Sequence, residues 1–210
     1  MKALTRLLFR LGRAPLTLAR IVLDRWVWPG WLAAQGVQTA PGLRLVGRPE
    51  VRLTPGGQIS IGTGVMLASR PASNPLQLTT PCALRLLADN AVIRIGDQCA
   101  LSGVVICAAT RVEIGDHVLI GANAIISDTD FHPLAAEARR ADRNRGALTR
   151  PVSIGADVFI GARAIILKGT TLGDGCVVGA GAVVSGQFPP HSVIGGNPAQ
   201  IVKTLDQNRS

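Results

Sequence analysis

The sequence contains few aromatic residues and no tyrosine. Phe, Trp and Tyr together make up 3% of its 210 residues, whereas Gly occurs 24 times and hydrophobic residues make up 47%. There is enough apolar material for a core of normal size, but that core must be built from small and β-branched side chains. Such a composition favours narrow, repetitive layers over a conventional β-sandwich.

Long apolar runs and cysteine motifs are missing too. Arginines and an aspartate interrupt every stretch of residues 1–35 that is long enough to span a bilayer, and no small-residue cleavage site follows a clean apolar run. We therefore predict neither a transmembrane helix nor a signal peptide.

The four cysteines form no CxxC pair and have no histidine at zinc-site spacing; they are Cys82, Cys99, Cys107 and Cys176. We therefore expect no metal and a reducing, cytoplasmic setting.

Acidic residues are scarce, and the excess positive charge is unevenly distributed. The formal net charge is +9, and residues 1–35 hold six basic residues against the single Asp24. The rest of the chain has few basic residues per repeat and no aromatic platform alternating with arginine. We therefore do not expect a nucleic-acid partner.

Residues 1–35 form a basic segment with the spacing of an amphipathic helix. Leu4, Leu7, Leu8 and Leu11 follow the i, i+3, i+4, i+7 rule, and Pro15 interrupts or restarts the helix. Two interpretations remain open. The segment packs on the body of the protein, or it anchors the protein peripherally at an anionic inner-membrane surface.

The strongest signal in the sequence is an internal period of six residues. In the most regular stretch an aliphatic residue recurs at Ile154, Ile160, Ile166, Leu172, Val178 and Val184. Gly commonly follows this residue, and a second small or β-branched residue lies four positions after it. A unit this short cannot cover its own apolar side chain, so it must wind into stacked coils. The period therefore predicts a parallel β-helix.

The same period is present earlier in the chain and explains three cysteines. Aliphatic residues recur in phase at Ile61, Leu67, Ile95, Leu101, Ile114, Ile120 and Ile126, so the pattern covers roughly residues 50–186 with one interruption. This phase assigns Cys107 to the aliphatic position, and Cys99 and Cys176 to the small inward position. Cys82 falls outside the clear phase.

These repeats resemble those of the hexapeptide-repeat acyltransferases, in which an aliphatic residue and Gly are followed by two variable residues and a small one. The resemblance implies an all-β, left-handed parallel β-helix, a homotrimer and active sites between subunits. We place the β-helix at residues 36–186, with a protruding loop at 127–151 and a closing segment at 187–210.

The interruption after Ile126 is the expected catalytic element. The loop is too polar and too rich in Arg, Asp and Pro to continue the coil, and it contains His132 directly after Asp128 and Asp130. Neutral imidazole is suited to accept the proton of an attacking hydroxyl near pH 7. His117 falls at a turn of the repeat and His191 in the closing segment, which leaves His132 as the candidate base.

The DTDFHP stretch also resembles the catalytic loop of the sugar and polysaccharide O-acetyltransferases within this family. The resemblance implies that His132 is the general base. Asp128 or Asp130 either orients its ring or caps the turn. Ser102 matches a position one coil earlier where relatives often carry an Asn that meets the acceptor or the oxyanion, and a hydroxyl can also donate that bond.

The donor side is also implied by the resemblance. In the family the pantetheine arm of CoA runs along the late coils, where Ala162 and Ala180 match. The closing segment matches at Gly196, Asn197 and Lys203, and Lys203 is a candidate contact for the CoA phosphates, with Lys168 and Arg163 as competitors.

The sequence therefore predicts an acetyl-CoA-dependent O-acetyltransferase that acts on a sugar hydroxyl of a cell-surface polysaccharide or its precursor. N-acylation of an amino sugar, or use of another acyl donor, is the alternative within this chemistry. Zinc-dependent hydration is disfavoured because the three histidines lack a short His-x4-His pair. A non-catalytic scaffold would leave the His132 loop without a role.

Overall fold

The computed structural model describes residues 18–143 and 145–205, and nearly all its strands belong to one left-handed β-helix, as predicted. The chain visits a first, a second and a third sheet in turn and then begins the next coil, so hydrogen-bonded neighbours within a sheet are successive visits of the chain. All pairings between coils are parallel and in register, with coils stacked at roughly 4.8 Å as in any β-sheet.

The strands are short, and each sheet has its own set. The first sheet contains β1 (Gln38–Thr39), β4 (Gln58–Ile61), β7 (Val92–Ile95), β10 (Arg111–Ile114), β13 (Val152–Ile154), β16 (Thr171–Leu172) and β19 (Gln187–Phe188). The second contains β2 (Arg44–Val46), β5 (Met66–Ala68), β8 (Ala100–Ser102), β11 (Leu119–Ile120), β14 (Phe159–Ile160), β17 (Val177–Val178), β20 (Ser192–Gly196) and β21 (Ala199–Thr204). The third contains β3 (Glu50–Arg52), β6 (Ala83–Leu86), β9 (Val105–Ala108), β12 (Ile125–Ser127), β15 (Ile165–Ile166) and β18 (Val183–Val184).

The three sheets enclose a single core made of stacked aliphatic residues. In the first sheet the ladder of buried side chains is Ile61, Ile95, Ile114, Ile154 and Leu172, each paired with the next in register. Glycine follows the aliphatic residue because coils stack too closely for a side chain there. A Cβ added at Gly115 would lie 2.7 Å from the backbone nitrogen of Ala156 in the next coil.

The sheets meet at three corners, which we name for use below. The first corner joins the first sheet to the second and includes residues 173–176. The second corner joins the second sheet to the third and includes residues 161–164. The third corner joins the third sheet back to the first and includes residues 167–170.

The cysteines are all buried and unpaired, but one of them is not where the period placed it. Ile106, not Cys107, pairs with the core residue Ile126, and Cys107 pairs with Ser127 on the outward side of the strand. The assignment of Cys107 to the aliphatic position is wrong because three residues, 102–104, separate Leu101 from Val105 in this coil, whereas four, 121–124, separate their partners Ile120 and Ile125 in the next. Cys99 and Cys176 do lie in the core, as predicted.

A second interruption of the coil was missed at the sequence level. Residues 69–82 leave the second corner between β5 and β6 and include a short 3-10 turn, Pro71–Ser73. Cys82, left without a role by the six-residue phase, ends this excursion as a fully buried core residue. Prolines at 71, 75 and 81 were the signal that a loop interrupts the repeat here.

The N-terminal helix closes one end of the coil. It contains a π-helical turn, Leu23–Val27, followed by α1 (Trp28–Ala34), and Leu32 is fully buried in the core. The predicted helical residues Leu4, Leu7, Leu8 and Leu11 lie outside the described residues. Within the described part of the chain, no helix is long and apolar enough to cross a membrane.

Candidate active site

The His132 loop leaves the coil at the third corner through a narrow neck. Thr129 and Thr149 form an antiparallel bridge, Asp130 N donates to Leu148 O at 3.1 Å, and Arg150 N donates to Asp128 O at 2.9 Å. The incoming and outgoing strands of the loop are therefore hydrogen-bonded to each other before the chain re-enters the first sheet at β13. His132 lies just beyond this neck.

The backbone of the loop turns sharply immediately before His132. Phe131 has a φ of +63°, and His132 N donates to Asp130 O at 2.7 Å. This tight turn projects the imidazole outwards, where it is exposed.

The imidazole of His132 is held by a backbone carbonyl. Its Nδ1 lies 2.6 Å from the carbonyl oxygen of Arg143, which follows the short helix α2 (Ala136–Ala141) of the same loop. Because a carbonyl oxygen can only accept, Nδ1 carries the hydrogen and Nε2 keeps its lone pair. In its neutral form His132 is thus an exposed imidazole whose Nε2 can accept a proton.

Asp128 does not contact the histidine. Its carboxylate is fully buried and accepts four hydrogen bonds from the preceding coil: from Ala109 N at 2.7 Å, from Thr110 N at 2.6 Å and Oγ1 at 2.8 Å, and from Arg111 N at 2.7 Å. Of the two roles that the sequence left open, orienting the ring and capping a turn, the structure gives Asp128 the second.

Asp130 pairs with Lys168 rather than with the imidazole. Lys168 Nζ lies 2.5 Å from Asp130 Oδ1, and the side chains are only 22% and 20% exposed. The other oxygen, Oδ2, is buried and accepts no hydrogen bond within the described residues. Neither aspartate orients the ring, and Lys168, a candidate for the CoA phosphates, lies at the base of the His132 loop.

A groove at the second corner is lined by the two alanines predicted to lie along CoA. Ala162 and Ala180 occupy equivalent positions in successive coils, and a groove of about 410 Å³ runs over them. Its remaining lining residues are Leu76, Ala122, Asn123, Arg163 and Gly181. A Cβ on Gly161 would lie 2.5 Å from Ala180 N, so the floor of the groove is bare backbone and small side chains.

Asn123 and the loop 69–82 complete this groove, and sequence reasoning missed both. Asn123 Oδ1 accepts from Thr79 N at 2.8 Å and from Thr79 Oγ1 at 3.1 Å, while its Nδ2 donates to Gln77 O at 3.1 Å. The amide therefore fastens the loop 69–82 along one side of the groove. Its φ of +61° marks it as a turn residue, which is all that the repeat pattern indicated.

Ser102 belongs with the groove and not with His132. It ends β8 at the second corner, where its carbonyl accepts from Asn123 N at 3.1 Å. The His132 loop leaves from the third corner. A single chain therefore brings Ser102, Ala162 and Ala180 to one corner and His132, Asp128, Asp130 and Lys168 to another.

Only part of the closing segment lies at the second corner, where the groove is. Ile194 pairs with Val178, so Gly196 and Asn197 follow Ala180 in the same column of the second corner. Lys203 is exposed on β21 and pairs with Val193, near the opposite end of the hairpin from Gly196.

The remaining titratable candidates lie away from both corners. His117 is exposed at a turn of the first corner with a φ of +58°, as expected, and His191 occupies the same column with a φ of +60°. Burial raises the pKa of all four thiols, that of Cys99 to about 11. Among residues 18–143 and 145–205 no cluster of His, Cys, Asp or Glu is arranged to hold a metal ion.

Curated proteins with similar sequences are named as acetyltransferases. The chain is 33% identical over 152 residues to a probable acetyltransferase of Mycobacterium tuberculosis, which covers 70% of this chain and 50% of that protein. It is 38% identical over 95 residues to the galactoside O-acetyltransferase of Escherichia coli K12, 45% of each chain. The chain thus spans about half the length of the curated relatives it matches.

Family and fold comparisons agree with the observed coil. A family model described as the hexapeptide repeat of succinyl-transferase matches residues 111–127 and 151–185, and the gap between the two matches coincides with the His132 loop. A point mutant of AntD, an N-acyltransferase from Bacillus cereus, in complex with dTDP and coenzyme A, superposes with a TM-score of 0.64 at 17% identity. That superposition covers 85% of this chain and 89% of AntD, and it shows the fold.

Proposed function

We propose, from the premise that the chain belongs to the hexapeptide-repeat acyltransferase family, that it transfers an acetyl group from acetyl-CoA to a hydroxyl of a sugar. The observation that carries the proposal is the hydrogen bond from His132 Nδ1 to the carbonyl of Arg143, because it leaves Nε2 free to accept a proton. The galactoside O-acetyltransferase among the relatives supports a hydroxyl acceptor.

The proposed reaction is a direct transfer without an acyl-enzyme. His132 Nε2 removes the hydroxyl proton as the sugar oxygen attacks the thioester carbonyl, and a tetrahedral intermediate forms. The intermediate then expels the CoA sulfur, which takes the proton back from the imidazolium. The products are the acetyl ester and free CoA thiol, and Nδ1 stays bonded to Arg143 throughout.

The donor lies in the groove of the second corner in this proposal. Ala162 and Ala180 let the thin pantetheine arm run close to the backbone, and Gly196 and Asn197 continue its path. Lys203 and Arg163 are the candidate contacts for the CoA phosphates.

The groove and His132 lie at different corners of one chain, so a complete site needs a second copy. We propose a homotrimer in which the third corner of one subunit faces the second corner of its neighbour. The Ser102 hydroxyl would then donate a hydrogen bond to the oxyanion from the subunit that holds the donor.

The acceptor we propose is a cell-surface polysaccharide or its precursor, and the loop 128–151 is the element that would contact it. Its five arginines do not all point outwards. Arg139 donates to the carbonyls of Pro133 and Leu134 and so serves the loop's own fold, whereas Arg140 and Arg145 are exposed and free to meet an acidic glycan.

The test measures thiol release from acetyl-CoA with a panel of sugars. His132→Ala should lower kcat by roughly 10²- to 10⁴-fold, which is the usual contribution of a general base. His117→Ala, an exposed histidine of the first corner, is the matched control and should keep full activity. An unchanged kcat in His132→Ala would refute the assignment.

An amino-sugar N-acyltransferase is the second candidate, because the fold is also that of AntD, an N-acyltransferase. Matched acceptors that differ only in a hydroxyl or an amine at one ring position separate the two. Faster transfer to the amine member of each pair, with an unchanged dependence on His132, would replace the O-acetylation proposal.

A further inference from the structure

The helical residues 18–27 leave an unusual amount of apolar surface uncovered. Every residue of this exposed helix segment except Asp24 is exposed, and Trp26 and Leu18 are 71% and 64% exposed. The large apolar members are Leu18, Ile21, Val22, Leu23, Trp26 and Val27. Leu18, Ile21, Val22 and Trp26 follow helical spacing and form an apolar stripe in which Arg25 is the one charged residue. A stripe of this kind is typical of a surface that docks on a partner.

The segment is fixed to the body of the protein by its one acidic residue. Asp24 Oδ1 accepts from Gly47 N at 3.0 Å, and Arg70 Nη2 lies 2.6 Å from Asp24 Oδ2. Just beyond the segment, Leu32 is buried in the core and the guanidinium of Arg48 lies 4.4 Å from the ring centroid of Trp31. The apolar stripe is therefore presented from a fixed support.

The charge on the segment selects its partner. Arg70 neutralises Asp24, whereas Arg20 and Arg25 are exposed and form no ion pair within the described residues. The sequence immediately before Leu18 adds Lys2, Arg6, Arg10 and Arg13 and no acidic residue. A second copy of this segment would bring like charges together, whereas an anionic lipid surface supplies the opposite charge as well as an apolar layer.

We propose that the exposed helix segment docks on the surface of an anionic lipid bilayer. The apolar stripe lies at the boundary between headgroups and acyl chains, and Arg20 and Arg25 pair with lipid phosphates. The fixed support then holds the first coil of the β-helix next to the bilayer. An acceptor carried on a lipid would meet the protein on the same surface, but docking does not depend on the acyltransferase activity.

The experiment uses the full chain with vesicles of phosphatidylcholine alone or mixed with phosphatidylglycerol. The chain has three tryptophans, at 26, 28 and 31, and only Trp26 lies in the exposed segment, whereas Trp28 and Trp31 pack against the core, so a change in emission on binding reports mainly on Trp26. We expect flotation with the anionic vesicles only, a blue shift of the emission, and release as salt is raised.

The decisive variant is Ile21→Asp/Trp26→Asp. It should weaken partition by about 100-fold or more, roughly tenfold for each apolar side chain withdrawn from lipid. The matched control is Leu119→Asp/Phe159→Asp, which removes side chains of 51% and 46% exposure from the outer face of the second sheet and should bind vesicles like the original chain.

Three outcomes would overturn the proposal. The first is that the protein does not bind anionic vesicles, and the second is that Ile21→Asp/Trp26→Asp binds them undiminished. The third is that this variant still binds vesicles but has a lower mass by light scattering. The last result would identify a second copy of the chain as the partner. None of these measurements requires acetyl transfer, so they are independent of the proposed function.

Discussion

Asp128 offers a direct test of how the His132 loop is held. We predict that Asp128→Ala is strongly destabilising, because it leaves three backbone N–H groups and one hydroxyl of the turn 109–111 without an acceptor. Each buried donor left unsatisfied costs about 1–3 kcal/mol. With some relaxation of the turn, the free energy of unfolding should fall by about 3–6 kcal/mol.

Two further substitutions calibrate this magnitude. Asp128→Asn keeps an oxygen where Oδ2 accepts three bonds, but it turns a buried NH2 donor towards Ala109 N–H, so its cost should lie between those of Asp128→Ala and Asp116→Ala. Asp116→Ala is the matched control. Asp116 makes the same kind of aspartate-to-turn bond to Asp97 N at 2.7 Å, but it is exposed, and its loss should cost about 1 kcal/mol or less.

The assay is equilibrium unfolding in urea followed by circular dichroism, with all chains at one protein concentration so that any assembly equilibrium affects them equally. The reasoning is refuted if Asp128→Ala costs no more than Asp116→Ala. It is also refuted if Asp128→Asn keeps its stability but loses transfer activity, because that pattern belongs to a carboxylate that orients the catalytic ring.

Three other predictions follow from the same geometry. Lys168→Met should lower kcat with little change in the KM for acetyl-CoA. The ion pair with Lys168 holds Asp130 in place, and the carbonyl of Asp130 in turn accepts the hydrogen bond from His132 N. A rise confined to the KM would instead assign Lys168 to the donor. Ala180→Leu should raise that KM by about tenfold or more at unchanged stability, since it fills the groove. At pH 8 the native thiols should resist iodoacetamide and react only on unfolding. Cys99, with its pKa raised to about 11, has a thiolate fraction of only about 10⁻³, and rapid modification of the native chain would contradict the burial.

The regular part of the fold could be predicted from the sequence because each coil repeats the same pattern of buried aliphatic residues. Ile114, Ile120 and Ile126 predict three successive faces, and the structure places all three in the core. The phase failed at Cys107 because the corner before it is one residue shorter. A fixed period cannot reveal such a change in turn length, and the register of the stacked neighbour, Ile126, corrects it.

The site was readable only in part, for a different reason. His132 could be singled out because it lies where the period stops. Its partner, the carbonyl of Arg143, is a backbone atom on the far side of a helix, and no side-chain pattern encodes it. Asp128 looked like a companion of His132 in sequence, yet its hydrogen bonds run back to the previous coil, a contact set by stacking and not by proximity along the chain.

The neck of the His132 loop has a consequence for how such a protein changes over time. Thr129 and Thr149 join before the loop opens, and Val152 returns to pair with Val112 as though nothing had been inserted. The loop between them can therefore change in length and sequence while the register of the coils on either side is preserved.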